Sequence, residues 1–359
     1  INQVLSQAIE DMAVQDTDYV EVLKLRFIEG LSINDVAEEM HYGEHHISRL
    51  QRSAIEQLVK ILLGREREIK QKRADYLESL LPPPTYANLF GVDDLRRVLC
   101  EQLQAPEEPW VVALVGMGGL GKTAVTHSVT LELIKQLAIS HLAWVRIDPP
   151  HSIRRQAELH HLNYNKYLNK FLGQLFPGES LPPLLTNQEV KLRQKLRSQP
   201  HLIVIDNLET EKDTAFLLNH LTELANPSKF LLTTRNRVGN QIAIREIRLD
   251  ALGRGDSLAL MRDHARIKGI REVADAPEPD LDRIYEQIGG NPYALKMVVD
   301  LLDLMTLDRL LDGLIQGHPQ GVLEIYMHIF RQAWRTLSDN GRKLLRSMPM
   351  VSDSSDVEY

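Results

Sequence analysis

The strongest constraint on this chain is the glycine-rich segment GMGGLGKT at residues 116–123, which lies between two different patterns. The apolar run WVVALV before it predicts a buried strand, and TAVTHSVTLELIKQL after it predicts a helix. Glycines let the backbone curl so that its N–H groups face phosphate oxygens, and the start of the helix adds partial positive charge. Lys122 would reach the β- and γ-phosphates, and the Thr123 hydroxyl would ligate magnesium. The segment therefore predicts a nucleotide site, and the alternative is a glycine-rich turn that matches by chance.

Two later apolar runs also end in charged residues. The run LIVID ends at Asp206, which would deliver a carboxylate to the magnesium ion. The alternative is a structural aspartate at a strand end. The run FLLTT is followed by Arg235, whose guanidinium would contact the γ-phosphate and so distinguish ATP from ADP. On chemistry alone, a surface arginine in a basic turn explains Arg235 equally well.

The chain separates into zones of different pattern. Apolar residues of the first zone follow helical spacing, and a charged helical stretch and a run of prolines come next. After residue 90, short β-rich runs alternate with helical segments, which predicts a parallel α/β sheet. Helical pattern returns after Leu252 and is broken once, at GGNP. The predicted strands are Trp110–Val115, Leu142–Ile147, Leu202–Ile205, Phe230–Thr234 and Glu246–Leu249.

Taken in order, these motifs resemble the NB-ARC class of STAND ATPases, the signal-transduction ATPases that include plant resistance proteins and apoptosis scaffolds. FLLTTRNR is similar to the family's sensor strand, GGNPYALKMV to its Gly-x-Pro motif, and NLFGVDDLRRVL to the segment that frames adenine. The resemblance implies a sheet of five parallel strands, with the P-loop strand between the sensor strand and the last one. It also implies that LSDNGRKLLRSMPM opens a winged-helix domain. The nucleotide-binding candidates are Phe90, Gly91, Val92, Gly116, Met117, Gly118, Gly119, Leu120, Gly121, Lys122, Thr123, Ala124 and Pro292.

One departure from the family pattern concerns hydrolysis. The family usually has a second acid after the strand's aspartate, and this chain has Asn207, whose neutral amide cannot accept a proton from water. Glu209 is the alternative base, although its position is not the usual one. We therefore predict a P-loop ATPase with slow or impaired hydrolysis, with ATP or ADP and Mg²⁺ as ligands. The catalytic candidates are Lys122, Asp206, Arg235 and Glu209, and the magnesium ligands are Thr123 and Asp206.

A second resemblance covers residues 18–62, which are similar to the helix-turn-helix of sigma factor region four. SINDVAEEM would form the first motif helix, HYG the turn and HHISRLQRSAIEQL the second helix. Residues 1–64 contain five basic and eleven acidic residues, a net charge of −6, so this domain should bind DNA weakly by itself. An oligomer would present several such domains at once, and the alternative is a helical module for protein contacts. The DNA-binding candidates are His45, His46, Ser48, Arg49 and Arg52, with Gln51 beside them.

Composition limits the class of protein and the cellular compartment that the chain fits. The net charge of −7 excludes a molecule that is basic throughout, and the single cysteine, Cys100, excludes a disulfide framework and suits a reducing cytosol. No apolar run approaches the roughly 20 residues that span a bilayer. The chain lacks an initiator methionine and stops soon after a helical pattern, so we expect a sensor or effector beyond Tyr359.

The resemblance to the NB-ARC class implies a switch in which ADP holds a closed state and ATP drives opening and self-association, and we expect it to be cytoplasmic. Its output would be DNA binding, as in a transcription regulator. The alternatives are recruitment of protein partners, as in a bacterial defence scaffold, and plain continuous ATP turnover. The predicted domains are 1–64 (helix-turn-helix), 65–86 (charged helical and Pro-rich linker), 87–252 (nucleotide-binding α/β), 253–318 (small helical) and 319–359 (start of a winged helix).

Overall fold

A computed structural model describes residues 2–12, 17–147, 160–179, 185–208, 223–238 and 244–302, with isolated positions between 218 and 221 and between 306 and 343. The chain divides into two compact units, Ile1–Ser79 and Leu80–Tyr359. Within the described ranges, no helix has the length and apolar character to cross a membrane.

The N-terminal unit consists of helices whose apolar faces form one core. Met12, Leu23, Val36 and Ile47 are at the centre of this core and are at most 1% exposed. The helices are α1 (Asn2–Met12), α2 (Thr17–Phe27), α3 (Ile33–Glu39) and α4 (Glu44–Ser79).

The two helices of the predicted helix-turn-helix are α3 and the start of α4. Ser32 begins α3 with a reciprocal cap, in which the Asp35 N–H donates to Ser32 Oγ at 3.2 Å and the Ser32 N–H donates to Asp35 Oδ2 at 3.0 Å. The turn to α4 contains His41 in the left-handed region, with a φ of 56°. α4 then continues through Gly64 to Ser79, so the predicted second motif helix and the charged stretch after it form one helix.

The second unit is built around five parallel strands in the order β2-β3-β4-β1-β5, which confirms the predicted sheet. All five residues of β1 are buried because a strand lies on each side of it and helices cover the sheet. In edge strand β5, Ile244 and Ile247 are buried, and the other three residues are partly or fully exposed. The strands are β1 (Val111–Val115), β2 (Leu142–Arg146), β3 (Leu202–Leu208), β4 (Lys229–Thr234) and β5 (Ile244–Arg248).

Helices connect these strands and then form a cluster of their own. Val111, Ala113 and Val115 of β1 share a core with Leu172 and Leu196 from the connecting helices. The helices within the sheet region are α5 (Asp93–Gln104), α6 (Lys122–Lys135), α7 (His160–Leu175) and α8 (Leu185–Ser198).

The helices after the sheet form a second core around Met261, Ile284 and Leu295, and Phe90 packs against this core. The described part of this cluster ends at Leu302, and the predicted winged helix lies almost wholly outside the described residues. The helices are α9 (Arg254–Lys268), α10 (Arg271–Ala274), α11 (Glu278–Ile288) and α12 (Pro292–Leu302).

Candidate functional site

The loop between β1 and α6 needs glycine at more than one of its positions. Gly121 directly precedes α6 and has a φ of 95°, a left-handed conformation that side chains disfavour. A Cβ at Gly116 would lie 2.7 Å from the carbonyl oxygen of Leu249, while the Gly116 N–H donates to the carbonyl of Thr234 at 3.1 Å. The loop therefore curls tightly beside β4 and delivers the chain to the start of α6, where backbone N–H groups lack helical partners.

The Lys122 side chain folds back over this loop. Its Nζ donates to the carbonyl oxygens of Gly116 at 2.7 Å and Met117 at 3.0 Å. A cation and the N-terminus of a helix thus meet at one loop, which is the arrangement that attracts phosphate groups.

Asp206 of β3 is bonded to hydroxyl groups from two other elements. Its Oδ1 accepts hydrogen bonds from Thr123 Oγ1 at 2.8 Å and Thr233 Oγ1 at 2.7 Å, and the residue is 1% exposed. Hydroxyl and carboxylate oxygens are hard ligands, so Thr123 and Asp206 fit a magnesium ion that takes its other ligands from water and phosphate. Thr233 was missed by the sequence reasoning, although the polar end of its strand was noted.

Asn207 lies at an irregularity of β3, where the pairing with β4 shifts between Ile205 and Leu208. Its φ of 71° is left-handed, a region that asparagine tolerates better than most residues. The Asn207 N–H donates to Thr233 Oγ1 at 2.8 Å, and its Nδ2 donates to the carbonyl of Ile147 at 3.0 Å. The side-chain amide therefore ties β3 to the end of β2. Glu209, the alternative base, lies outside the described residues.

Two arginines border the same loop. Arg235 follows β4, and its guanidinium carbon would lie 3.2 Å from a Cβ added at Gly118, so it covers the Gly118 backbone. Arg146 ends β2, where it is paired in register with Asp206. Both arginines line the cavity beside the loop. The sequence did not predict Arg146, because the apolar pattern of its strand assigns no role to the residue at the strand end.

The cavity beside the loop measures about 900 Å³, within the range of small-molecule sites. Of the predicted nucleotide contacts, Phe90, Val92, Pro292 and residues 118–124 line it. The other three predicted contacts do not line the cavity. Gly116 and Met117 accept hydrogen bonds from Lys122 instead, and Gly91 packs so closely on Asp256 that an added Cβ would lie 2.6 Å from a carboxylate oxygen.

The start of α12 also contributes to the cavity lining. Pro292 and Tyr293 line the cavity there, as does Phe90 from the segment before α5. Asn291, one residue before α12, donates a hydrogen bond from Nδ2 to the carbonyl of Gly118 at 3.0 Å. Sequence reasoning did not identify Asn291, because only Pro292 of this motif carried a family role.

The predicted DNA-reading residues lie at the start of α4. His45, His46, Ser48, Arg49 and Arg52 are all exposed there. The His46 ring contacts the Tyr42 ring in a tilted arrangement, with 4.6 Å between ring centroids. Gln51 accepts a hydrogen bond from Arg26 at 2.9 Å, so it is engaged within the unit.

The strand order and the loop define a P-loop nucleotide-binding protein, and family comparison is more specific. Residues 92–268 match the NB-ARC domain family, and residues 20–60 match the family of Sigma-70, region 4. The chain thus carries an NB-ARC domain preceded by a helix-turn-helix of the Sigma-70 region 4 type.

The curated relatives include plant proteins much longer than this chain. Disease resistance protein RGA4 of Oryza sativa subsp. japonica is 26% identical over 226 residues, which is 60% of this chain and 21% of the rice protein. Disease resistance protein RPV1 of Vitis rotundifolia is 25% identical over 185 residues, 50% of this chain and 12% of that protein. The chain therefore spans about a fifth or less of these relatives.

Solved structures are more distant. A STAND protein with a tetratricopeptide repeat sensor from Pyrococcus horikoshii is 14% identical with a TM-score of 0.45, and the match covers 66% of this chain and 33% of that one.

Proposed function

We propose that this chain is a nucleotide-controlled switch that binds ATP or ADP with Mg²⁺ in the cavity beside the P-loop. The observation that carries the proposal is the set of bonds around Asp206, in which Thr123 from α6 and Thr233 from β4 both donate to one carboxylate oxygen. This arrangement joins the magnesium ligands of the P-loop to the sensor strand. A change at the γ-phosphate would therefore reach β4 through few atoms.

Each candidate residue has a definite task in this proposal. Lys122 binds the β- and γ-phosphates, and the N–H groups of residues 118–124 surround them. Arg235, which covers the Gly118 backbone, contacts the γ-phosphate and so favours ATP over ADP. Phe90, Val92 and Pro292 contact the adenine base and ribose at the far side of the cavity.

Slow hydrolysis is part of the proposal, because a switch must retain its nucleotide. The Asn207 amide donates to Ile147 and has no basic atom with which to activate water. Asn207→Asp replaces that amide with a carboxylate, which cannot donate to Ile147 and would turn toward the cavity. We expect single-turnover hydrolysis to rise by about tenfold or more, within the range of general base catalysis. An unchanged rate would show that residue 207 is not the water-activating position.

The switch works by binding two conformations with different affinity. ADP would hold the sheet region and the helical cluster α9–α12 together, and ATP would favour an opened state that self-associates. Similarity to disease resistance proteins supports a signalling role. The winged helix predicted after residue 319, and any sensor beyond it, would supply the input.

The output that we favour is DNA binding by the N-terminal unit. Its support is the match of residues 20–60 to Sigma-70, region 4 and the exposure of the five candidate residues at the start of α4. The net charge of −6 over residues 1–64 favours the second candidate, in which this unit recruits a protein partner.

One experiment separates these outputs. The full chain is loaded with ADP or with a non-hydrolysable ATP analogue and titrated against mixed genomic DNA fragments at several salt concentrations. Binding of selected fragments only in the ATP-like state, falling steeply with salt, is the result expected for a nucleotide-gated regulator. Absence of binding at low salt in both states would reject DNA as the output and direct the search to protein partners.

A further inference from the structure

The N-terminus of α12 is hydrogen-bonded directly to the P-loop backbone. Asn291 donates from Nδ2 to the carbonyl oxygen of Gly118 at 3.0 Å, and the Tyr293 N–H donates to the carbonyl oxygen of Gly119 at 3.2 Å. Asn291 is 4% exposed, so the hydrogen bond from its side-chain amide to the loop is shielded from competing water. Two successive carbonyl groups of the phosphate-binding loop are therefore held by the helical cluster.

The other end of the same amide holds the helix. Asn291 Oδ1 accepts from the N–H groups of Tyr293 at 3.1 Å and Ala294 at 3.2 Å, which caps the start of α12. Rotating the amide by half a turn would place its oxygen against the Gly118 carbonyl and its NH₂ against two N–H groups. Only one orientation is favourable, and in it a single side chain joins the P-loop to α12.

The residue before Asn291 is held as well. The Leu252 N–H donates to the carbonyl of Gly290 at 2.8 Å, and a Cβ at Gly290 would lie 1.9 Å from the Leu252 carbonyl oxygen. This contact is too close for any other residue type. The turn that carries Asn291 is thus fixed against the segment that follows β5.

Peptide geometry links these bonds to the phosphate site. In a trans peptide, the carbonyl of one residue and the N–H of the next point to opposite sides of the chain. Holding the Gly118 and Gly119 carbonyls toward α12 therefore directs the N–H groups of Gly119 and Leu120 away from it. Both of these residues line the cavity, and a phosphate-binding loop depends on the direction in which its N–H groups point.

We infer that Asn291 is a positioning residue that couples the P-loop to α12, so that ADP is released only when this contact breaks. The inference rests on the proposed function and assigns the slow release of ADP to the side-chain amide of Asn291. Because coupling is reciprocal, phosphates that order the Gly119 and Leu120 N–H groups also strengthen the contact with α12. Arg235 lies over the same glycine, Gly118, on which Asn291 acts.

Three substitutions separate the bond to the loop from the helix cap. Asn291→Asp and Asn291→Ser keep an oxygen that caps α12, but aspartate cannot donate to the Gly118 carbonyl and serine is too short to reach it. Asn291→Ala removes both functions. The matched control is Arg254→Gln, which removes exposed ion pairs to Glu278 and Asp282 in the same helical cluster.

The measurement is the dissociation rate of a fluorescent ADP analogue from the full chain with Mg²⁺. We expect Asn291→Asp and Asn291→Ser to release ADP about tenfold faster than the wild type, the effect of one buried hydrogen bond. Agreement between the charged and the uncharged variant excludes a simple charge effect, and Arg254→Gln should release ADP at the wild-type rate. Release at the wild-type rate from both cap-retaining variants would overturn the inference, even if Asn291→Ala were faster.

A second measurement needs no variant. Hydrogen exchange of the wild-type chain should show that ADP protects the peptide that contains residues 290–295 as well as the P-loop. If ADP protects the P-loop alone, the inference is wrong and the proposed function stands. If the wild-type chain binds no ADP, the proposed function fails, and the inference fails with it.

Discussion

The nucleotide-binding part of the chain and the N-terminal helical unit hold their candidate residues in different ways. In the nucleotide-binding part, the candidates are bonded to one another: Thr123 donates to Asp206 at 2.8 Å, and Lys122 is held by two loop carbonyls. In the N-terminal unit, the candidates His45, His46, Ser48, Arg49 and Arg52 are exposed on the first turns of α4.

This difference is the one that the ligands proposed for the two surfaces would require. Phosphate and magnesium need several groups at fixed distances, so the chain arranges those groups before the ligand arrives. A surface that reads a long partner can instead use side chains that order on contact, with affinity gained from several weak sites. Substitutions should therefore have large, local effects in the first region and smaller, additive effects in the second.

The largest effect is expected from Lys122→Ala. In the proposed site the Lys122 ammonium binds phosphate oxygens, so its removal should weaken the binding of ADP and ATP by about a hundredfold, the value of a strong charge-assisted hydrogen bond. Isothermal titration calorimetry of the full chain with Mg²⁺ measures both affinities.

Lys135→Ala is the control for that change, because Lys135 is an exposed lysine in the last turn of the same helix. It should bind both nucleotides as the wild type does. Unchanged affinity in Lys122→Ala would remove the P-loop assignment and, with it, the contrast between the two regions.

Low pH should reduce the folding stability of the nucleotide-binding unit through His201, which lies one residue before β3 and is 5% exposed. Burial lowers the pKa of His201 from 6.5 to about 4, so the unfolded chain binds more protons than the folded chain between these values. Stability is therefore full above pH 6.5 and falls as the pH drops toward 4. We expect a loss of about 2 kcal/mol between pH 7.5 and pH 5, measured by denaturant unfolding of that unit.

Phenylalanine variants test this assignment. His201→Phe keeps a ring beside His141, whose centroid lies 4.6 Å from that of His201, but cannot be protonated. It should flatten the pH dependence of unfolding. His45→Phe, which changes an exposed histidine of the N-terminal unit, should leave the pH dependence as it is in the wild type. Equal pH dependence in the wild type and His201→Phe would refute the role of burial.

Much of the fold was predictable because strand and motif residues follow each other closely in sequence. The five apolar runs became the five strands, and the P-loop was confirmed as the turn between β1 and α6. The observed ends of β3 and β5 differ from the predicted ones, because pairing with neighbouring strands determines where a strand begins and ends. β3 continues past an irregularity to Leu208, and β5 begins at Ile244 because its first residues pair with Val111 and Val112.

The missed residues share a physical reason. Thr233 and Asn291 donate hydrogen bonds to groups that are 27 and 173 positions away in sequence, and Arg146 is paired in register with Asp206, which is 60 positions away. No local pattern encodes such contacts, because they arise only when β2, β4 and α12 are brought to one edge of the sheet. Asn207 shows that a sequence can reveal a residue type without revealing the contact that the residue makes. Its missing acid was visible in the sequence, whereas its bond to Ile147 was not.

A smaller effect is expected from Thr233→Val, which replaces the hydroxyl that orients Asp206 by a methyl group of similar size. If Asp206 ligates Mg²⁺ as proposed, loss of this hydrogen bond should weaken the apparent affinity for Mg²⁺ in nucleotide binding by about tenfold. The control is Thr234→Val, since Thr234 is also buried but accepts its hydrogen bond from the Asn236 N–H at 3.1 Å. If both variants titrate with Mg²⁺ alike, Thr233 does not orient the metal ligand.

The smallest effects should come from Arg49→Ala and Arg52→Ala in the N-terminal unit. If this exposed surface contacts DNA, each substitution should weaken binding of the ATP-loaded full chain by about fivefold and reduce the salt slope by about one. The control is Arg67→Ala, an exposed arginine further along α4. Losses confined to residues 49 and 52 would identify the start of α4 as the reading surface. Equal losses at all three positions would mean that α4 contributes only diffuse positive charge. The N-terminal unit would then differ from the proposed nucleotide site in making no defined contact with its ligand.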